Sequence, residues 1–352
     1  MTDFETIANL KQILVPKADL KLRFSYKTPE KTMAYNDKED QAEWQAKCRC
    51  KLRELIACDA DVMDRNIQVH HTTKIEFATV YSLIMHVDDT LSLPGYLLVP
   101  DEIKCETPVL AIQGHAYDVK GILGLADDYH HGFGLELCRA GFVTLVPEIR
   151  GFGTIVNLAV HDERKLIYYN WGELMAYTLV TDAFMKGYTL IGDTISDLFA
   201  WSAYLRGYVK QEKYSVAGIS YGGDLALILA ALDDRAEKTF ASGTLGSMTP
   251  IFDTCYNAPA HCIPGILKYM DRQEIAQCIA PRALAVHYGE LDAPSPDNSS
   301  AAYNETALPV FSRVSEFYRN MGAGEKAQLV ISLNMKHEMD NHALIEFLLD
   351  RH

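Results

Sequence analysis

Residues 216–226 run Val-Ala-Gly-Ile-Ser-Tyr-Gly-Gly-Asp-Leu-Ala, which places Ser220 inside a Gly-x-Ser-x-Gly pattern. An apolar, strand-like run precedes the serine and a helix-like run follows it. In that context the motif is a candidate nucleophile elbow, a strained strand-to-helix turn that projects a hydroxyl from the sheet towards a helix N-terminus. Gly218 and Gly222 are the small residues such a turn requires, because it brings neighbouring backbone close. The chemistry on offer is nucleophilic attack on a carbonyl followed by acyl transfer.

A serine hydroxyl needs a base, and the base needs a partner that fixes its tautomer. Where an elbow of this kind carries the nucleophile, the acid and then the histidine follow it along the chain. Of the twelve histidines, His261, His287, His337, His342 and His352 lie beyond Ser220. His337 stands just past a strand expected at residues 328–331, where a loop can reach the serine, and is the chosen base. His342, at the start of the last expected helix, is the fallback, and His287 reads as part of a strand. The acid is expected after the strand at residues 283–287, where Asp292 is chosen ahead of Glu290 and Asp297. Oxyanion stabilisation needs preorganised amides. One is assigned to Tyr221, directly after the serine, and one to His115, in the loop that follows the strand at residues 109–112.

Other conspicuous residues receive lesser roles. The pairs His70–His71 and His130–His131 are adjacent, so on a strand their side chains diverge, and no metal site is assigned to them. Arg150 reads as an ion-pair partner rather than a catalytic group.

The elements that position these groups follow from periodicity. Residues 1–66 read mainly as a helical extension, with an amphipathic helix over 39–57. A strand period covers 68–99, with a turn at Asp88–Thr90, and residues 95–100 form a further strand. Beyond that, strands (109–112, 142–146, 214–217, 283–287, 328–331) alternate with helices (135–140, 195–205, 225–232, 310–321, 343–349). This is the pattern of a mostly parallel central sheet flanked by helices, and it places an α/β catalytic domain over 67–352. Residues 153–192 fit the alternation poorly and are rich in aromatics. They read as a lid, a pocket wall or an extra packing layer, with Tyr168, Tyr169, Trp171 and Tyr177 as candidate substrate contacts.

Composition narrows the function classes. Across 352 residues, 48% are apolar and the formal net charge is -14. With no compensating basic stripe, this balance speaks against a nucleic-acid partner. No apolar run reaches the length of a membrane span, and the acidic first residues lack the order of a secretory signal. The eight cysteines are scattered and provide no paired CxxC zinc site, so a reduced, cytoplasmic protein is the expectation. No metal and no organic cofactor is called for. The N-terminal region offers contacts for a homo-oligomer or a cap on the sheet, two readings the sequence leaves open.

With these residues placed, the chain resembles the α/β-hydrolase superfamily, and within it the dienelactone hydrolase-like and acetyl xylan esterase-like branch. The similarity runs from about Trp44 to the C-terminus. It rests on the order of segments 94–100, 113–115, 148–153, 218–223, 263–269 and 280–284, together with the loops holding Asp292 and His337. The resemblance implies a cofactor-free serine hydrolase acting on short-chain or acetyl esters. Gln113 stands where relatives usually carry histidine before the glycine, and Glu148 where aspartate is usual. Both departures imply a divergent pocket.

Overall fold

The computed structural model describes residues 28–58, 65–89, 91–116, 118–153, 172–249, 259–292 and 304–351. Among the described residues nine strands form one sheet: β1 (Asn66–Ile75), β2 (Ala78–His86), β3 (Ser92–Pro100), β4 (Cys105–Ile112), β5 (Phe142–Pro147), β6 (Tyr214–Ile219), β7 (Ala236–Ser242), β8 (Ala283–Gly289) and β9 (Ala327–Ser332). Their order across the sheet is β1-β2-β3-β5-β4-β6-β7-β8-β9. Pairing is antiparallel from β1 as far as β5 and parallel from β5 to β9. The β2–β3 turn is closed by the Leu91 amide, which donates to Asp88 Oδ1 at 2.8 Å.

The parallel strands β4, β5, β6, β7 and β8 are largely buried on both faces, with the edge strand β9 only half-buried, and side chains alternate between two cores. Leu110, Ile112, Val216 and Val286 face one core. That side is covered by α1 (Gln41–Ile56), α3 (Gly172–Lys186), α4 (Leu190–Val209), α5 (Tyr221–Leu232), α6 (Arg272–Gln277) and α7 (Ala307–Asn320). Val109, Ala111, Ala217, Ile219 and Ala285 face the other core, which is covered by α2 (Phe133–Arg139) and α8 (Asn341–Leu348). Among the described residues, no helix is long and apolar enough to cross a membrane. Cys48, Cys50, Cys105, Cys138 and Cys278 are free thiols.

Two segments differ from the sequence expectations for physical causes, and a third takes up one of the readings left open. The strand β7 reads Ala-Glu-Lys-Thr-Phe-Ala-Ser and has no apolar run to announce it, yet it sits between β6 and β8. Its one long cation, Lys238, escapes the core by donating to the Leu348 carbonyl at 2.8 Å. Within 153–192, residues 172–186 are the helix α3, which carries buried Ala176 and Val180 into the larger core. In the N-terminal region, residues 28–40 are irregular rather than helical. They are held by the Thr32 and Met33 amides donating to the carbonyls of Lys268 and Tyr269.

The helix α1 is fastened by its polar side chains as well as by Trp44, Cys48, Leu52 and Ile56. Arg53 donates to the last carbonyl of α5, at Leu232 (2.9 Å). Gln45 donates to Gln277 and Ala280, and Arg49 to Cys278, around the end of α6. A helix C-terminus leaves carbonyls without intrahelical donors and carries partial negative charge, so cationic and amide donors suit it. In return, the Thr189 hydroxyl donates to the Ile56 carbonyl at 2.6 Å while capping α4 through the Gly192 amide.

Candidate active site

Ser220 lies between β6 and α5 with φ 59° and ψ -124°, a backbone conformation unfavourable for a residue carrying a Cβ. The strain is held in place by neighbours. The Ser220 amide donates to the Ser242 carbonyl at the end of β7 (2.9 Å), and its own carbonyl accepts from the Gly223 and Asp224 amides. A side chain at Gly222 would come within 2.3 Å of the Ile112 carbonyl oxygen, which is why the turn needs glycine there. The loop after β4 passes directly over the serine: a Cβ built on Gly114 would stand 3.1 Å from Ser220 Cβ.

Asp292 follows β8 and His337 follows β9, and the two meet. His337 Nδ1 is 2.9 Å from Asp292 Oδ2, with the carboxylate side chain 1% exposed and the imidazole 18% exposed. His337 Nε2 is buried and has no hydrogen-bond partner among the described residues. The imidazole packs on Gly243, where a Cβ would lie 2.7 Å from His337 Cε1. Gly243 directly follows Ser242, so Ser220 and His337 flank the same two residues of chain. The fallback residues are placed elsewhere. His342 lies in α8, Glu290 Oε2 accepts from the Asn334 amide at the surface, and Asp297 lies outside the described residues.

The Tyr221 amide opens α5, among the first-turn donors that an α-helix leaves without an intrahelical acceptor. His115 sits in the loop after β4. Its ring stacks on the Tyr221 ring (5.2 Å between centroids) and meets Phe152 (4.9 Å) and His261 (5.0 Å). Burial, reinforced by neighbouring His261, pushes the His115 pKa down to about 3, so the ring is neutral and its side chain does no acid–base work near pH 7. Tyr168, Tyr169 and Trp171 lie outside the described residues, and Tyr177 falls on α3.

No family model matches the chain, and no curated protein matches it. Solved structures do. A putative acetyl xylan esterase from Bacteroides fragilis superposes with a TM-score of 0.68 at 14% identity, covering 86% of this chain and 79% of that one. A glucuronoyl esterase from Solibacter usitatus gives 0.60 at 13% identity, covering 92% and 97%. Acetyl Xylan Esterase 1 from Thermoanaerobacterium sp. gives 0.55 at 17% identity, covering 95% and 98%. The chain has the α/β-hydrolase fold.

Within this hydrolase fold a second polar cluster, not anticipated from the sequence, lies one turn beyond the elbow. Asp224 Oδ1 accepts from Thr244 Oγ1 (2.5 Å) and Arg272 Nε (2.6 Å). Its Oδ2 accepts from Arg272 Nη2 (2.7 Å) and pairs with His261 Nδ1 (2.6 Å). Burial alone would raise the Asp224 pKa; the Arg272 guanidinium and His261 override it and hold the carboxyl well below the usual range. The signal was present in the sequence: α5 is buried along its whole length, and a carboxylate inside such a helix demands a cation. Arg150 behaves as expected, forking onto Asp197 (2.5 and 2.9 Å) with Asp193 at 3.3 Å. Gln113, where histidine is usual, is fully buried, and neither of its amide atoms finds a partner among the described residues. Among the described residues no cluster of three or more His, Cys, Asp or Glu side chains could hold a metal ion.

Proposed function

We propose that this protein is a serine-dependent carboxylic ester hydrolase that favours short-chain or acetyl esters of a small molecule. The observation that carries the proposal is the strained Ser220 at the head of α5, sharing Ser242–Gly243 with a hydrogen-bonded His337–Asp292 pair. Solved structures of this fold bear the names acetyl xylan esterase and glucuronoyl esterase, which supports an ester as the scissile group.

In this mechanism Ser220 Oγ attacks the carbonyl carbon while His337 Nε2 takes its proton. Asp292 keeps the Nδ1–H tautomer aligned and stabilises the imidazolium. The amides of Tyr221 and His115 receive the oxyanion, His337 returns the proton to the leaving alcohol, and water releases the acyl group by the same steps in reverse order of partners. The four aromatics Tyr168, Tyr169, Trp171 and Tyr177 are proposed to contact the substrate.

The test is turnover of p-nitrophenyl esters from acetate to octanoate by wild type and Ser220→Ala. Turnover that declines with acyl length and drops by about 10⁴-fold or more in the variant is expected. Activity surviving in Ser220→Ala would remove Ser220 as nucleophile. An inactive wild type whose Ser220 still reacts with a fluorophosphonate would shift the reading to amide or carbon–carbon cleavage.

A further inference from the structure

The adjacent histidines His130 and His131 have no place in the triad, and the structure gives them different surroundings. His131 is exposed and pairs with Glu338 at 3.0 Å. His130 is 1% exposed, and its Nε2 accepts a hydrogen bond from the Gly114 amide at 2.9 Å. An imidazole nitrogen that accepts carries no proton, so in the neutral ring the proton is on Nδ1. That nitrogen lies 3.0 Å from Asp128 Oδ1, which also accepts from the His130 amide at 2.9 Å. One tautomer is therefore selected, by the same device that Asp292 applies to His337 but with the free nitrogen aimed at backbone.

Tyr129, between Asp128 and His130, completes the arrangement. Its hydroxyl donates to the His115 carbonyl at 2.7 Å. The Gly114–His115 unit is thus pinned at both ends, its first N–H by His130 and its last C=O by Tyr129. The peptide between these anchors bears the His115 amide, the second oxyanion donor of the proposed reaction. We infer that His130 is a positioning residue, which fixes the His115 amide by accepting from Gly114. This inference rests on the reading of Ser220 as the nucleophile.

The same short segment also holds the base. The Tyr129 carbonyl accepts from the Met339 amide (2.9 Å), the His131 carbonyl accepts from Asn341 Nδ2 (2.7 Å), and the Tyr129 ring lies 5.7 Å from the His337 ring. The strands β4 and β9, which carry the two loops, stand four places apart in the sheet, about 19 Å at 4.8 Å per strand. Residues 128–131 bridge that span, so oxyanion donor and base are registered against each other by side-chain and backbone contacts rather than through the sheet.

The experiment compares His130→Gln, whose Oε1 can replace the Nε2 acceptor, with His130→Asn, which reaches Asp128 but not Gly114. Both are measured with p-nitrophenyl acetate, with kcat expressed per site titrated by a fluorophosphonate, so that a misfolded fraction drops out. His130→Asn is expected to lower kcat about tenfold to a hundredfold, because an oxyanion donor is misplaced, with KM little changed. His130→Gln is expected to recover most of that loss. Equal kcat per titrated site in the two variants, or a loss confined to KM, would overturn the inference while leaving Ser220 in place. A wild type that neither turns over esters nor labels would overturn the nucleophile reading, and this inference with it. Should the variants fail to fold, nitrogen-15 NMR of the wild-type ring decides the geometry: an Nδ1–H tautomer is expected, and Nε2–H would overturn it.

Discussion

Of the histidine–aspartate pairs near the elbow, His337–Asp292 and His261–Asp224 meet different fates. In each, an imidazole Nδ1 meets a carboxylate oxygen, at 2.9 Å for His337–Asp292 and 2.6 Å for His261–Asp224. The difference is in what else each pair touches. Asp224 is also clamped by both arms of Arg272 and by Thr244, and it lies in a helix buried on every side. Its charge is spent on holding α5, α6 and the 259–261 turn together. The His337–Asp292 pair sits on two loops at the C-terminal ends of β8 and β9, and His337 Nε2 is left without a partner among the described residues. A histidine–carboxylate contact alone therefore does not announce catalysis. What distinguishes the two is that Asp224 is also tied to Arg272 and Thr244 inside a buried helix, whereas His337 Nε2 has no partner among the described residues.

Exchanging one carboxylate oxygen for an amide in each pair separates these roles most sharply. Asp292→Asn should lower kcat about 10⁴-fold with little change in unfolding free energy, because the imidazole loses its tautomer control. Steady-state kinetics beside urea unfolding would check both halves. Asp224→Asn should do the opposite, costing about 3–5 kcal/mol of stability by leaving the buried Arg272 charge uncompensated, while kcat per folded molecule stays near wild type. A large kcat loss with intact stability in Asp224→Asn would break the comparison.

A smaller effect is expected from Gly243→Ala. The new methyl would overlap His337 Cε1, at a residue with φ 64°. Displacing the base by a fraction of an ångström should lower kcat about a hundredfold. Wild-type kcat in this variant would mean that the imidazole has room to spare.

The smallest effect is in pH dependence. Burial lowers His115 to about 3 and His287 to about 4, both from an ordinary 6.5. Between those values the unfolded chain binds protons that the folded chain refuses. The stabilisation from keeping the rings neutral is thus complete above pH 6.5 and is lost as pH falls towards 4 and then 3. From pH 7 to pH 5 the loss should be about 2 kcal/mol per ring. Unfolding curves at the two pH values, repeated with His287→Asn, would show half of the slope disappearing; an unchanged slope would assign the protons elsewhere.

Legibility in the sequence followed local signal. The strands β4, β5, β6 and β8 were readable because runs such as Val109–Leu110–Ala111–Ile112 are apolar throughout, as parallel strands buried on both faces must be. The strand β7 escaped notice because Glu237 and Lys238 stand at its exposed start and only Phe240 is a large apolar residue. Ser220 stands out as a candidate because its motif is contiguous, and Asp292 and His337 because each follows a readable strand; the structure brings the latter two within 2.9 Å of each other. The partners of Asp224 were not, since Arg272 and His261 lie 48 and 37 residues away and come together only through folding. The same holds for His130 and Gly114, where nothing local says that a ring nitrogen will meet a backbone amide.

The way α1 is fastened bears on the order in which the chain matures. Gln45 donates to carbonyls 232 and 235 residues further along, and Arg49 to one 229 residues away. During synthesis α1 leaves the ribosome long before its acceptors exist, with Trp44, Cys48, Leu52 and Ile56 still to be covered. Contacts of such sequence separation form late and leave apolar surface exposed while they wait. The helix made early therefore cannot complete its hydrogen bonds to the end of α6 until residues 277–280 have been synthesised.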